Sequence, residues 1–176
     1  MDAKIMQMAL KALDQEVSRP LKLLIGGGAA FILAHDIPLL TNDIDGIPYQ
    51  TELRAAELDP LIKKVAKKLK IPPDWLNHYF ATYTYSLPKD YGSRLVTIYE
   101  GKNLKAVALG KEDLLIMKCF AGRDKDVAHA RALLKKKVDT KLVAEHLHRC
   151  LEENIPKAKE ACDFFYEICE QLGINL

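Results

Sequence analysis

The chain has 176 residues, 49% hydrophobic and 28% charged, and its 26 Lys and Arg against 24 Asp and Glu give a formal net charge of +2. That length suits one domain, or one domain with a helical appendage, with enough chain to bury a core unaided, and the balance excludes a histone-like polycation. No run of about 18 apolar residues occurs, which excludes a transmembrane helix.

Met1-Asp2-Ala3-Lys4 leads into an amphipathic pattern and not into a signal peptide. Ile5, Met8, Leu13 and Val17 predict a helix over residues 3–18, stopped by Arg19-Pro20. Leu21–Ile25 is short and apolar, a buried strand running into Gly26-Gly27-Gly28, and Ala29–His35 is a helix leaving that turn. Thr41–Tyr49 alternates as a strand, so Asp43 and Asp45, two apart, point to one side. Asp59-Pro60 predicts a helix start, with Asp59 as N-cap, and a helix to about Leu69. Pro72-Pro73-Asp74 ends it and predicts a short helix holding Trp75 and Phe80. Residues 94–109 read as a β-hairpin turning at Gly101-Lys102-Asn103. Helices are predicted over 111–120, with Gly122 as the stop, and at about 124–137, 140–151 and 156–172. The expected architecture is an α/β core to residue 137, with a helical extension over 138–176 packed on it.

The small net charge conceals a division. Residues 145–176 carry three Lys and Arg against seven Asp and Glu, so the rest of the chain is basic. Lys63, Lys64, Lys67, Lys68 and Lys70, and later Lys135, Lys136, Lys137 and Lys141, read as solvated helix faces or as a polyanion-binding face. Cys119, Cys150, Cys162 and Cys169 form no C-x-x-C pair; they read as reduced, mostly buried thiols of a cytoplasmic protein.

The chemistry concentrates in two segments. Gly26-Gly27-Gly28 ends a strand and opens a helix, where backbone amides and the positive helix end make an anion site for phosphate. Asp43 and Asp45 offer hard oxygen ligands of the kind that hold Mg²⁺ together with substrate phosphates. Side by side, the two predict metal-assisted phosphoryl or nucleotidyl transfer of the two-metal type.

In that order and separation, the segments resemble the polymerase-β-like nucleotidyltransferase superfamily. Gly26-Gly27 matches its glycine pair, Asp43 and Asp45 its metal-binding carboxylates, and Thr41 a preference of the smaller prokaryotic members. Leu109–Lys118, leading into Ala121-Gly122-Arg123-Asp124-Lys125-Asp126, resembles a helix of nucleotidyltransferase-like proteins related to the AbiEii abortive-infection toxins, and Trp75-Leu76-Asn77 is similar to that group as well. The resemblance covers roughly residues 21–136. It implies a nucleotidyltransferase-like α/β (α+β) core, with a small mixed sheet flanked by helices. It also implies a nucleoside triphosphate substrate, Mg²⁺, a tRNA end or protein hydroxyl as acceptor, and a toxin-like role with an antitoxin or other protein partner.

Lys118 and Arg123 either neutralise phosphate oxygens or pair with Asp124 or Asp126. Active members of the superfamily add a third carboxylate on a later strand. Glu100, at the hairpin end, is the candidate, although turn chemistry explains it equally well; Asp74 and Asp90 lie in loops and stay open. Without a third acid the alternatives are a catalytically degenerate nucleotide-binding scaffold, or a fold relative that binds a protein through its acidic C-terminal helices. His146, His148 and Cys150 alternate on a helix and cannot converge on a metal. His35 caps its helix or reaches the pocket, and Tyr79, Tyr83 and Tyr85 read as core or rim, with base stacking as the alternative.

Overall fold

A computed structural model describes all 176 residues. The chain forms two compact units, one of residues 1–81 and 95–109, the other of residues 82–94 and 110–176. No helix is long and apolar enough to cross a membrane.

The first unit holds a mixed sheet of five strands in the order β3-β2-β1-β5-β4. Its centre is β1 (Leu21–Ile25), nearly all buried, as a strand covered on both faces must be. β2 (Ile44–Pro48) lies antiparallel to β1 with Gly46 opposite Ile25, and β5 (Leu104–Ala108) lies parallel to β1 with Ala108 opposite Ile25. The predicted hairpin is present: β4 (Val96–Glu100) runs antiparallel to β5 as one edge. β3 (Leu76–Asn77) runs parallel to β2 as the other.

Three helices complete the unit. α1 (Ala3–Glu16) starts where the Asp2 carboxylate accepts the Ile5 N–H at 2.8 Å, and it buries Met6, Ala9, Leu10, Ala12 and Leu13. α2 (Gly27–His35) begins inside the glycine run, with Gly26 as N-cap. α3 (Ala55–Leu69) starts before the expected Asp59-Pro60. The Glu57 carboxylate takes the Arg54 N–H at 2.9 Å and sets that start, leaving Pro60 inside the helix and Asp59 paired with Lys63 at 2.7 Å.

A second correction falls after Pro72-Pro73-Asp74, where β3 replaces the expected short helix. The Trp75 carbonyl accepts the Ile44 N–H at 2.6 Å, while the buried Trp75 indole donates to the Ile62 carbonyl at 3.0 Å. With its backbone engaged by β2 and its ring by α3, this segment is fixed by partners distant in sequence. A 3₁₀ stretch, Tyr79–Ser86, follows.

The second unit is helical: α4 (Lys111–Ala121), α5 (Asp124–Leu134), α6 (Thr140–Glu152) and α7 (Ala158–Gln171). α4 packs against the other three, and every side chain from Asp113 to Phe120 is buried. Gly122, at φ +55°, ends α4 as expected. Asp113 is buried because Arg94 grips both its oxygens, at 3.0 and 2.8 Å. The units do not divide near residue 137: the helices from 111 to 134 share a unit with those after 138.

Candidate active site

At the end of β1 the chain turns sharply, and the Gly26 N–H donates to the Asp45 carbonyl at 2.9 Å. Gly27 adopts φ +54°, and a Cβ built there would stand 1.8 Å from Asp45 Oδ2. The Asp45 side chain therefore occupies the space that any other residue at position 27 would need. A Cβ on Gly28 would stand 3.0 Å from the Thr41 Cβ. The Thr41 hydroxyl donates to Asp43 Oδ1 at 2.9 Å, and the Asn77 amide donates to Asp43 Oδ2 at 2.9 Å. Ile44, between the two acids, is wholly buried, and both acids are half-buried. The structure thus brings together Gly26, Gly27, Gly28, Thr41, Asp43 and Asp45. Gly26, the N-cap of α2, has no side chain with which to cap the helix.

Glu100 is not with them. It pairs with Lys105 across the hairpin, and Lys105 lies opposite Lys22, whereas Asp45 adjoins the Ile25 and Ala108 end of the sheet. Glu100 is exposed there and forms an ion pair with Lys105 at 3.1 Å. The hairpin carries this acid away from the pair because its register sets Glu100 beside the turn. Asp74 is exposed in the loop before β3, and Asp90, in the second unit, is bound by Arg94 at 2.8 Å. No group of three His, Cys, Asp or Glu side chains is placed to hold a metal ion. The residue in register with Asp45 on β3 is Asn77.

Two neighbours were not singled out as site residues from the sequence. Asn77 accepts the Tyr79 N–H at 2.9 Å, and His78 Nδ1 lies 2.6 Å from the Gly46 carbonyl. A carbonyl only accepts, so that nitrogen carries the proton. Asn77 and His78 also line a cavity of about 520 Å³ with Ile62, Lys63, Asp59 and Asp74. The available signal was Trp75-Leu76-Asn77 after two prolines, a stretch that carried a family likeness but is too short to show a period.

A family model described as a nucleotidyltransferase of unknown function (DUF6036) matches residues 4–170. The chain belongs to this family. No curated protein and no solved structure matches it.

In this nucleotidyltransferase-family chain, Lys118 and Arg123 lie in the second unit and meet Asp126. Lys118 Nζ donates to Asp126 Oδ1 at 2.7 Å, and Arg123 Nε donates to Asp126 Oδ2 at 2.7 Å. Asp126 is wholly buried; burial alone would raise its carboxyl, but His129, Arg123 and Lys118 hold it well below the ordinary range. The ion-pair alternative is the arrangement present. His146 Nε2 meets the Ser86 carbonyl at 2.8 Å and Cys150 Sγ at 3.3 Å, while His148 bonds Tyr166, so the three do not converge. His35 Nε2 donates to the Leu109 carbonyl at 2.8 Å. Tyr79 and Tyr85 are exposed, and the Tyr85 ring packs edge-on to Phe120. All four cysteines are free and buried, and burial pushes the Cys119 thiol well up.

Proposed function

We propose that this family member transfers a nucleoside monophosphate from a nucleoside triphosphate to an acceptor hydroxyl. The observation that carries the reading is the seating of the Asp45 carboxylate against Gly27, 1.8 Å from where a Cβ would stand. The positive end of α2 attracts phosphate, and carboxylates beside it repel it. The two features are compatible when a divalent cation lies between, so the arrangement selects a metal–nucleotide complex over a free anion.

The donor set fits Mg²⁺, which is commonly held by one or two carboxylates plus substrate phosphates and water. Asp43 and Asp45 would hold it. When bound, the ion neutralises phosphate charge and favours ionisation of the attacking hydroxyl. The chain's own residues do the rest. Gly27 and Gly28 let the backbone approach the phosphates, and Thr41 and Asn77 orient Asp43. The acceptor oxygen bonds to the α-phosphorus, the bond from that phosphorus to the bridging oxygen breaks, pyrophosphate leaves, and the hydroxyl proton passes to water.

The likeness to the polymerase-β-like superfamily and its AbiEii-type toxins supports a toxin-like role, with a tRNA end or protein hydroxyl as acceptor and a protein antitoxin as partner. The test is transfer of label from each of the four α-labelled nucleoside triphosphates, with Mg²⁺, to bulk tRNA and protein. Labelling that disappears in Asp43→Ala and in Asp45→Ala supports the reading. No labelling, with nucleotide binding indifferent to Mg²⁺, overturns it. A second reading, a nucleotide-binding or protein-binding scaffold without transfer, is favoured by Asn77 standing where a third acid is absent.

A further inference from the structure

We infer that this site takes one divalent cation per chain, with Asn77 as the positioning residue that sets that number; the inference rests on the metal–nucleotide reading above. β3 pairs parallel to β2 with Asn77 opposite Asp45, and the Asn77 side chain reaches Asp43. Its orientation is fixed from both ends. Oδ1 accepts the Tyr79 N–H at 2.9 Å, so the atom facing Asp43 Oδ2 is the amide nitrogen, a donor. The other oxygen of Asp43 accepts from the Thr41 hydroxyl at 2.9 Å.

Each oxygen of Asp43 thus has one neutral donor and keeps lone-pair capacity for a cation. The donors hold the carboxylate in one orientation before any ligand arrives, and they add no charge. Asp43 and Asp45 together supply two negative charges, and no third acid joins them. One divalent cation balances that pair. Two, at the separation of about 3.5–4 Å usual for paired metals, would repel each other, and the protein offers no third carboxylate to bridge them.

Replacing Asn77 by Asp keeps the shape and reverses the electrostatics. A donor to Asp43 becomes an acceptor in a site where the two groups lie 2.9 Å apart. Carboxylates that close cannot both ionise unless a proton or a cation lies between them. Asn77→Asp should therefore create a cation demand that the wild-type chain lacks, an effect that loss of a merely structural amide would not produce.

The experiment is titration of the full chain with Mn²⁺ in the absence of nucleotide, by calorimetry and by electron paramagnetic resonance. The wild type should bind one Mn²⁺. Asn77→Asp should bind a second, or bind the first at least tenfold more tightly, and its melting temperature should depend on Mn²⁺ more steeply. Asn77→Ala, checked for folding by circular dichroism, should bind the single ion several-fold more weakly. Two Mn²⁺ on the wild type, an Asn77→Asp titration identical to wild type, or no Mn²⁺ on either protein overturns the inference. The labelling assay tests transfer separately, so failure to label leaves the ion count intact as a result.

Discussion

Asp45 and Gly27 share a space that holds one side chain, and it belongs to Asp45. A methyl group at position 27 would stand 1.8 Å from Asp45 Oδ2, and the backbone there has φ +54°. Gly27→Ala therefore combines a backbone strain of about 1–2 kcal/mol with forced displacement of the carboxylate. The expected outcome is a lower melting temperature and at least a tenfold loss of Mg²⁺-dependent nucleotide binding. Gly173→Ala separates the two effects, because Gly173 has φ +67° but nothing within 4 Å of a built Cβ. It should lose stability of the same order and leave nucleotide affinity unchanged. Calorimetric unfolding and fluorescent-nucleotide titration of both variants check this.

Thr41 reaches the same site through Asp43. Its hydroxyl donates to Oδ1 at 2.9 Å, and its Cβ faces Gly28. Thr41→Val keeps the shape and removes the donor. A hydrogen bond to a charged group contributes about 1.5–3 kcal/mol, so loosening the carboxylate should slow transfer by roughly tenfold or more. Thr41→Ser should restore most of the rate. Steady-state kinetics with Mg²⁺ held constant would show it, with melting temperature as the control for folding.

How far the sequence disclosed this site follows from how local each signal is. Gly26-Gly27-Gly28 and Asp43-Ile44-Asp45 carry their signal within a few residues: Gly27 takes a positive φ where a Cβ would meet Asp45, while Asp43 falls in the bend just before β2, one residue short of the expected strand alternation. Asn77 is different. It gains its place from pairing with a strand more than 30 residues earlier, and the two-residue β3 is too short to show alternation. Glu100 misled for a related reason. Its strand and hairpin were legible, but the register that sends it to the turn end depends on how β5 joins β1. Lys118 and Arg123 offered two readings because a cation near a helix end looks the same whether it meets phosphate or a buried acid. The choice lies in the burial of Asp126.

Asp14 makes a pH-dependent contact that fixes the hairpin. Its carboxylate accepts the backbone N–H groups of Asn103 and Leu104 at 2.7 Å and of Lys102 at 3.1 Å. Burial alone would raise this carboxyl, but those three donors and the Tyr99 hydroxyl hold it below its ordinary value. A group depressed in the folded state stabilises fully above its unfolded pKa, here 3.8, and that stabilisation is lost as pH falls through the folded value. Asp14→Asn should cost about 1–3 kcal/mol at pH 7. It should also make unfolding less sensitive to pH below 4. Urea unfolding of wild type and variant at pH 7 and pH 3 should give a smaller difference at the lower pH.

Asp126 organises the junction between α4 and α5, and its loss should be felt as stability. Its wholly buried carboxylate receives Lys118 at 2.7 Å and Arg123 at 2.7 Å, with His129 Nδ1 at 3.6 Å. Burial depresses the Lys118 ammonium, and Asp126 is the group that opposes this. Asp126→Ala leaves a buried ammonium without its carboxylate, a change that costs about 3–5 kcal/mol. Lys118→Met is milder, because Arg123 still serves Asp126 and the methionine fills the vacated stem. The double variant should recover part of the loss, since it removes the stranded charge. Because Asp126 is held far below the ordinary carboxylate range, the stabilisation from this pair is fully present well above its unfolded value of 3.8 and is lost as pH falls towards the much lower folded value. If Lys118 serves Asp126 and not phosphate, Lys118→Met shifts the melting temperature and leaves nucleotide affinity unchanged at a temperature where it is folded. A loss of affinity with unchanged melting would instead assign Lys118 to the nucleotide.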